Sequence, residues 1–372
     1  MQGESINAEE KKKICFFSGD ITRSGGTERV SIQLANALAE EKLYEICFLS
    51  LVEQQKEPFF SIHTEITRHV LGNRWINPGP GYIPFIVKLR KFLKKQKVDV
   101  IIDIDIVLDI LSIPAVVCLD TKIIAWEHFN CEFEQSIFYR KCISKVTTRF
   151  ADYIITLTHQ DQENYEKILG RKKNIEAIYN MVSKMVLDEK AQREKWIVTV
   201  GRLTYQKGIE YLIETARIVL TRNPDWKWLI LGDGDERAKL EEATKKYGLE
   251  SQLIIKGTVE NVDWYLNRAR LLVMTSRYEG FGMCLVEALQ MHVPCVSFDV
   301  KIGPSEIISN GENGILIAPF DCASMAEKID ALLKNRELLQ KMAENTLMDF
   351  ERFQDASILY NWKQVIEKVM EE

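Results

Sequence analysis

The feature that most constrains this chain is an alternation of short apolar runs with amphipathic helical stretches, which proceeds, breaks and then begins again. KKKICFFSGD opens it, followed by GGTERVSIQLANALAEE, in which Val30, Leu34, Ala37 and Leu38 fall at helical spacing. The pattern continues through YEICFLSL, the helical PFIVKLRKFLKKQ, VDVIID, KIIAWEH, the helical IFYRKCISKVTTRF, DYIITL, the helical HQDQENYEKIL and NIEAIYN. After the polar segment SKMVLDEKAQREK it restarts with WIVTVGRL, a helical GIEYLIETARIVL, WKWLILGDGD, a helical ERAKLEEATKKYG, QLIIKG, LLVMTS, a helix from about Gly282 to His292, PCVSFD and GILIAP. Strands alternating with helices predict parallel sheets wound on both faces, here two in succession.

The expected division is 1–184, 185–350 and a closing helical segment 351–372 that packs back on the first domain. A chain of 372 residues suits about two domains of ~150 residues. With 46% hydrophobic and 28% charged residues, both can bury a core. The net charge of −5 without a basic block removes the electrostatic footprint of nucleic-acid binding.

The eight cysteines form no CxxC pair and mostly lie in apolar runs, so they read as buried thiols of a reducing compartment. The start, MQGESINAEEKKK, has no apolar stretch of the signal-peptide kind, so a cytoplasmic location is expected. VDVIIDIDIVLDILSIPAVVCL is interrupted by Asp99, Asp103, Asp105 and Asp109, each costing roughly 2.5–3.5 kcal/mol at a bilayer centre, and is no membrane span.

In open parallel sheets ligands bind beyond the carboxyl ends of the strands, and two such domains facing each other would frame a cleft. The loops after strands therefore carry the candidate chemistry. Gly201 to Gly208, GRLTYQKG, places Arg202 and Lys207 between a strand end and a helix start, where a helix N-terminus itself favours anions. A diphosphate suits such a site, although the pair read alone is equally a solvated basic surface.

Gly232-Asp233-Gly234-Asp235 resembles half of a dinucleotide fingerprint, but lacks the third glycine and the downstream ribose carboxylate. RYEGFGMCLVEAL sets Glu279 on a loop and Glu287 about 7–8 Å along the following helix. The glycines between them, Gly280 and Gly282, let backbone approach a ligand closely. For Glu287 the plain reading is a solvent-facing helix glutamate. A glycosidase-like carboxylate pair is a further reading whose distance the sequence does not supply.

These residues carry a resemblance. Glu279-x7-Glu287 within EGFGMCLVEAL, with GRLTYQKG, LILGDGDE, IIKGTVENV and GPSEIISNGENGILIAP, resembles the retaining glycosyltransferases of family 4. SGGTERV and WEHFN carry the likeness into the first half, and the block from Glu132 to Tyr165 resembles members that build bacterial surface polysaccharides. The resemblance implies the α/β GT-B architecture of two Rossmann-like domains, with acceptor on the first and nucleotide-sugar donor on the second.

It further implies that Arg202 and Lys207 hold the diphosphate in place of a metal, with no cofactor beyond the donor substrate. Glu287 would accept from the ribose hydroxyls, Glu279 would sit beside the transferred sugar, and the amides about Phe281 and Gly282 would face the sugar and β-phosphate. Gly232 belongs to the same donor set. Val259, beside Thr258, matches the segment that reads the base, with uracil preferred by analogy. Gly25 and Gly26 match the turn that approaches the diphosphate, and His128 the histidine near the donor sugar.

Asp103-x-Asp105 and Asp233-x-Asp235 carry a metal-binding signature of the other transferase fold, out of context here, and are read as metal-free. The segment Phe85 to Lys97 surrounds an apolar stripe of Phe85, Ile86, Leu89, Phe92 and Leu93 with Lys88, Arg90, Lys91, Lys94, Lys95 and Lys97. Such a helix either lies on anionic lipid, at about 1 kcal/mol per basic residue, or packs on the sheet with a solvated basic face.

The expected partners are thus a nucleotide sugar, a glycan or lipid-linked acceptor and the inner membrane surface. Rival readings are an NAD-dependent oxidoreductase, which lacks its full glycine fingerprint, a hydrolysing UDP-sugar epimerase on the same fold, and a non-catalytic glycan-binding protein.

Overall fold

The structure, a computed structural model, describes residues 11–74, 80–182, 184–188 and 190–371. The opening segment read for a targeting signal is largely outside them. The chain divides into two compact units, 1–181 with 355–372 and 182–354.

Unit 1 runs β1 (Lys12–Ser18), α1 (Gly26–Glu40), β2 (Tyr44–Ser50), β3 (Thr67–Val70), α2 (Ile83–Gln96), β4 (Val100–Ile104), α3 (Asp109–Val116), β5 (Lys122–Trp126), α4 (Cys131–Ser136), α5 (Phe138–Phe150), β6 (Tyr153–Thr156), α6 (His159–Asn164) and β7 (Ile175–Ala177). Unit 2 runs β8 (Trp196–Val200), α7 (Ile209–Arg222), β9 (Lys227–Leu231), α8 (Arg237–Lys246), β10 (Leu253–Gly257), α9 (Val262–Leu266), β11 (Leu271–Met274), α10 (Met283–Gln290), β12 (Cys295–Phe298), α11 (Pro304–Ile307), β13 (Gly314–Ile317), α12 (Cys322–Lys334) and α13 (Arg336–Glu344).

The strand orders are β3-β2-β1-β4-β5-β6-β7 and β10-β9-β8-β11-β12-β13. Every ladder is parallel. Parallel strands covered on both faces must be apolar throughout, and Ile14 to Phe17, Val100 to Ile102 and Leu271 to Val273 are all fully enclosed. Unit 1 packs Cys15, Leu49, Leu89, Ile101 and Tyr165 into one core. Unit 2 packs Ile197, Trp228, Val273, Val296 and Ile329 into another.

A last helix, α14 (Asp355–Glu371), belongs to unit 1. Its Trp362 meets the ring of Trp126 edge-on at 4.7 Å, and its Lys363 pairs with Glu41 at 2.6 Å. Among the described residues no helix is long and apolar enough to cross a membrane.

Two expectations change. The apolar stripe of α2 is not free to lie on lipid: Phe85, Leu89 and Leu93 are sealed in the unit 1 core, with Ile86 and Phe92 packed against it. A stripe that satisfies the sheet cannot also enter a bilayer, so α2 presents to solvent the opposite face, on which Ile83 and Val87 stand with Lys88, Lys91, Lys94 and Lys95. Of the eight cysteines six are buried, but Cys118 and Cys142 are exposed.

The two aspartates of Asp103-x-Asp105 have unlike surroundings. Asp105, at φ 86°, caps the turn after β4 by accepting from the Val107 amide at 3.1 Å and pairs with Arg140 at 3.2 Å. Asp103 is fully buried in β4, beside the side chains of Asp109 and Ser112. Burial pushes its carboxyl up to about 6. Burial, followed by the nearby Asp103, pushes Asp109 well above the usual carboxylate range. A proton held on one carboxyl of the pair lets it donate to the other.

A carboxyl raised above its unfolded value favours the fold while protonated. That contribution is complete below about pH 4 and is lost as pH rises through about 6, by a few kcal/mol at most. Asp103→Asn is therefore expected to gain stability relative to the native chain as pH rises from 4 to 7. Thermal scans across that range check this: a difference in melting temperature that stays constant with pH contradicts it.

Candidate active site

Where strand order reverses in a parallel sheet, the loops on either side turn apart and leave a crevice at the carboxyl ends. In unit 2 the reversal falls between β8 and β11. The loop after β8 is Gly201 to Gly208, and the loop after β11 is Thr275 to Gly282. The topology alone thus brings GRLTYQKG beside RYEGFG.

The two loops are sewn together. Lys207 Nζ donates to Glu279 Oε1 at 2.6 Å across 72 residues of sequence. The Thr275 hydroxyl donates to the Lys207 carbonyl at 3.0 Å, the Arg277 amide to the Gln206 carbonyl at 2.7 Å, and the Gln206 amide group to the Tyr278 carbonyl at 3.1 Å. Arg277 also lies over the Tyr205 ring at 3.8 Å and pairs with Glu210. In the sequence, the local signal for Arg277 is its place immediately before the glycine-rich turn.

Burial pulls the Lys207 ammonium down, but the charge and hydrogen bond of Glu279 outweigh it and leave the group raised. The side chains are 21% and 7% exposed for Lys207 and Glu279. Arg202 is exposed and forms no ion pair among the described residues. One cation is therefore fixed by a carboxylate, and a second, exposed cation lies on the same loop.

Gly232 follows the last residue of β9 for a steric reason. At φ +154° it brings the β9 end so close to the next loop that a Cβ would lie 1.9 Å from the Gly201 carbonyl oxygen. The GDGD turn therefore supports Arg202 from behind, since Leu203 N also donates to the Asp233 carbonyl at 2.9 Å. Asp233 itself pairs with Arg237 at 2.6 Å.

Gly282, at φ +101°, is the N-cap of α10, which has no side-chain cap. Uncapped N–H groups at a helix start favour a negative charge. Phe281 is buried against Phe353, with ring centroids 6.0 Å apart. Glu287, in the second turn of α10, is 3% exposed, so the solvent-facing alternative is overturned. Val259 is half-buried just beyond β10, next to the exposed Thr258.

Cys284 is buried near Lys207 and Glu279, and burial pushes its thiol up to about 12. It stays a neutral thiol at physiological pH and offers no nucleophile.

Unit 1 holds the remaining candidates. Gly25 is the N-cap of α1, and a Cβ there would meet the Glu28 carboxylate at 2.2 Å; Gly26 faces open space. His128 follows β5, with its ring 4.4 Å from that of Trp126. Its Nε2 has no hydrogen-bond partner, and burial lowers it to about 3. The imidazole is therefore neutral near pH 7. Beside it, Glu127 accepts from Tyr165 at 2.7 Å, with burial, then the charge of Asp105, pushing its carboxyl up to about 7.

Two Rossmann-like units of this topology define the GT-B fold, shared with solved glycosyltransferase structures. Residues 163–347 match the family described as "Glycosyl transferases group 1", and residues 24–184 match "Glycosyltransferase Family 4". The chain belongs to the family 4 glycosyltransferases.

It is 28% identical to an uncharacterized glycosyltransferase of Haemophilus influenzae, over 95% of this chain and 100% of that one. It is 26% identical, over 96% of this chain and 99% of the relative, to a Campylobacter jejuni protein named as an alpha-1,4-N-acetyl-D-galactosaminyltransferase acting on a GalNAc-containing diNAcBac-PP-undecaprenol. The structure of Anabaena HepE in complex with UDP and glucose superposes with a TM-score of 0.79 at 18% identity, covering 95% of this chain and 99% of that one. Membership of the family displaces the oxidoreductase reading.

Proposed function

We propose that this glycosyltransferase moves a hexose or N-acetylhexosamine from a UDP-sugar, with retention of anomeric configuration, to a sugar hydroxyl of a lipid-linked or polysaccharide acceptor in bacterial surface-glycan synthesis. The observation that carries the reading is the Lys207 to Glu279 contact at the strand-order reversal, with Arg202 exposed beside it. The names of the Campylobacter relative and the Anabaena structure support a lipid-linked acceptor and a uridine donor.

In this account Arg202 and Lys207 bind the diphosphate and stabilise the charge that develops on the β-phosphate as the bond to the sugar breaks. The uncapped start of α10, with the amides about Phe281 and Gly282, adds to the same field. Glu279 holds Lys207 and lies beside the sugar, Glu287 accepts from the ribose hydroxyls, and Val259 lies beside the base.

Gly232 backs the Arg202 loop. In unit 1, Gly25 and Gly26 at the start of α1 and the neutral His128 after β5 are further donor-site residues by the family resemblance. The acceptor oxygen bonds to the anomeric carbon on the face the phosphate leaves, and its proton passes to the departing β-phosphate oxygen. The cations of the chain do the work a metal does elsewhere.

Incubation with a panel of UDP-hexoses and UDP-N-acetylhexosamines in EDTA, with lipid-diphosphate-linked sugar as acceptor, tests this. An α-linked product from an α-linked donor is expected. An inverted product, or turnover only with added divalent metal, contradicts it.

A further inference from the structure

Among the described residues the outer face of α5 is exposed. Its inner side buries Ile143, Ser144 and Thr147, the last donating to Asp109. Its outer side exposes Tyr139, Cys142, Val146 and Phe150 at spacings of three, four and four, so they form one stripe. Phe150 is 60% exposed, and Phe138, at the helix start, 83%. Alongside runs a second exposed stripe, Lys141, Lys145 and Arg149, at intervals of four.

The basic stripe ends in a cavity of about 690 Å³ lined by Lys145, Arg149, Arg171, Lys172 and Lys173, with Ile168 also on its wall and no carboxylate in the lining. The turn is fixed rather than loose. Arg171 donates to the carbonyls of Thr148, Ala151, Asp152 and Asn174 at 2.9 to 3.2 Å, which ties the 171–174 turn to the end of α5. Lys172 and Lys173 are thereby held exposed beside Lys145 and Arg149, like charges gathered without an acid to offset them.

We propose that this face of α5 and the 168–173 turn dock on an anionic phospholipid bilayer, with lipid phosphates in the basic cavity and Tyr139, Val146 and Phe150 at the acyl boundary. Cations flanking an exposed apolar helix stripe suit such an interface. A second copy of the chain does not fit, because a self-complementary contact would set the same cations against each other. The surface differs from the basic α2 helix, whose apolar side the core occupies. It rests on the proposed function only in that a lipid-linked acceptor lies at a membrane, and lipid binding is measured without donor or acceptor, so the two can fail separately.

The test is co-sedimentation of the full chain with vesicles of phosphatidylcholine alone and with about a third phosphatidylglycerol. Partition onto the anionic vesicles only is expected. Lys145→Ser combined with Arg149→Ser should lower it about 30-fold, and Phe150→Ser about fivefold. Lys245→Ser combined with Lys246→Ser, which removes equal charge from exposed α8 positions, should change it less than about twofold. All these sites are exposed, and unchanged melting temperatures establish that the variants fold.

Absence of binding overturns the proposal, as does an equal loss in the α8 variant. So does saturable binding of inorganic phosphate, sensitive to the α5 variant, without vesicle partition, which would mark a soluble-anion site. A dimer dissociated by Phe150→Ser with no lipid binding would assign the face to a second copy.

Discussion

Replacing Lys207 with alanine is expected to lower kcat/KM for the donor by about 10²–10³, the loss typical of removing one group that stabilises developing transition-state charge. Two effects combine. On the proposed reading the β-phosphate loses its fixed cation, and Glu279, whose side chain is only 7% exposed, loses the ammonium 2.6 Å away. Removing the ammonium from beside a largely buried carboxylate also costs stability, here about 2 kcal/mol because Lys207 is itself partly in water.

Lys207→Met keeps the length of the side chain and separates charge from volume. If charge is the cause, methionine is no better than alanine. Steady-state kinetics with the donor varied, beside thermal scans, check both effects. A kcat/KM within about threefold of the native chain would show that Lys207 is only a surface partner of Glu279.

The second large effect is expected at Gly232, far less conspicuous chemically. Alanine would place Cβ 1.9 Å from the Gly201 carbonyl oxygen at a φ that side chains rarely adopt. The obstacle is backbone, so no rotamer change relieves it, and a cost of about 3 kcal/mol follows. In a unit of this size that lowers the melting temperature by roughly 6–12 °C.

The backbone that must yield is the Gly201–Arg202 segment, so donor affinity should fall even where the fold survives. Gly248→Ala is the companion variant: also at positive φ, 65°, but with nothing within 4 Å. It isolates backbone strain from collision. Equal losses for the two variants would remove the steric argument.

The alternation that ordered the strands was legible because parallel strands buried on both faces are apolar runs of fixed length, as in KKICFFS and LLVM. β3 escaped it. Thr67, Arg68, His69 and Val70 form an edge strand with no buried residue, and carry no apolar run to see. α3 escaped for the opposite reason: its ILSIPAV continues the apolar run of β4 and contains Pro114, so period and boundary are both obscured.

Local pattern also identifies an amphipathic helix without saying what meets its apolar side. The α2 stripe faces the unit 1 core, while α5, read only as a helix, exposes Tyr139, Val146 and Phe150.

At the site, residue types in strand-end loops were informative, since topology dictates that loops beside an order reversal gather. Glu287 departed from its plainest reading because burial is decided by neighbours outside its helix. The Arg277 clasp on Tyr205 and Glu210 was invisible for the same reason: it joins segments brought together only by the β8 to β11 pairing. The neutral state of His128 likewise comes from enclosure, which its position after a strand does not reveal.

The central claim is that unit 2 binds a uridine diphosphate through its own side chains. Calorimetric titration of UDP in EDTA, on the native chain and on Glu287→Ala, tests it most directly. Metal-free binding is expected, weakened at least about tenfold in Glu287→Ala, the scale of a lost hydrogen bond to a buried charged group. No binding of UDP in EDTA, or equal affinity in the two proteins, would contradict it.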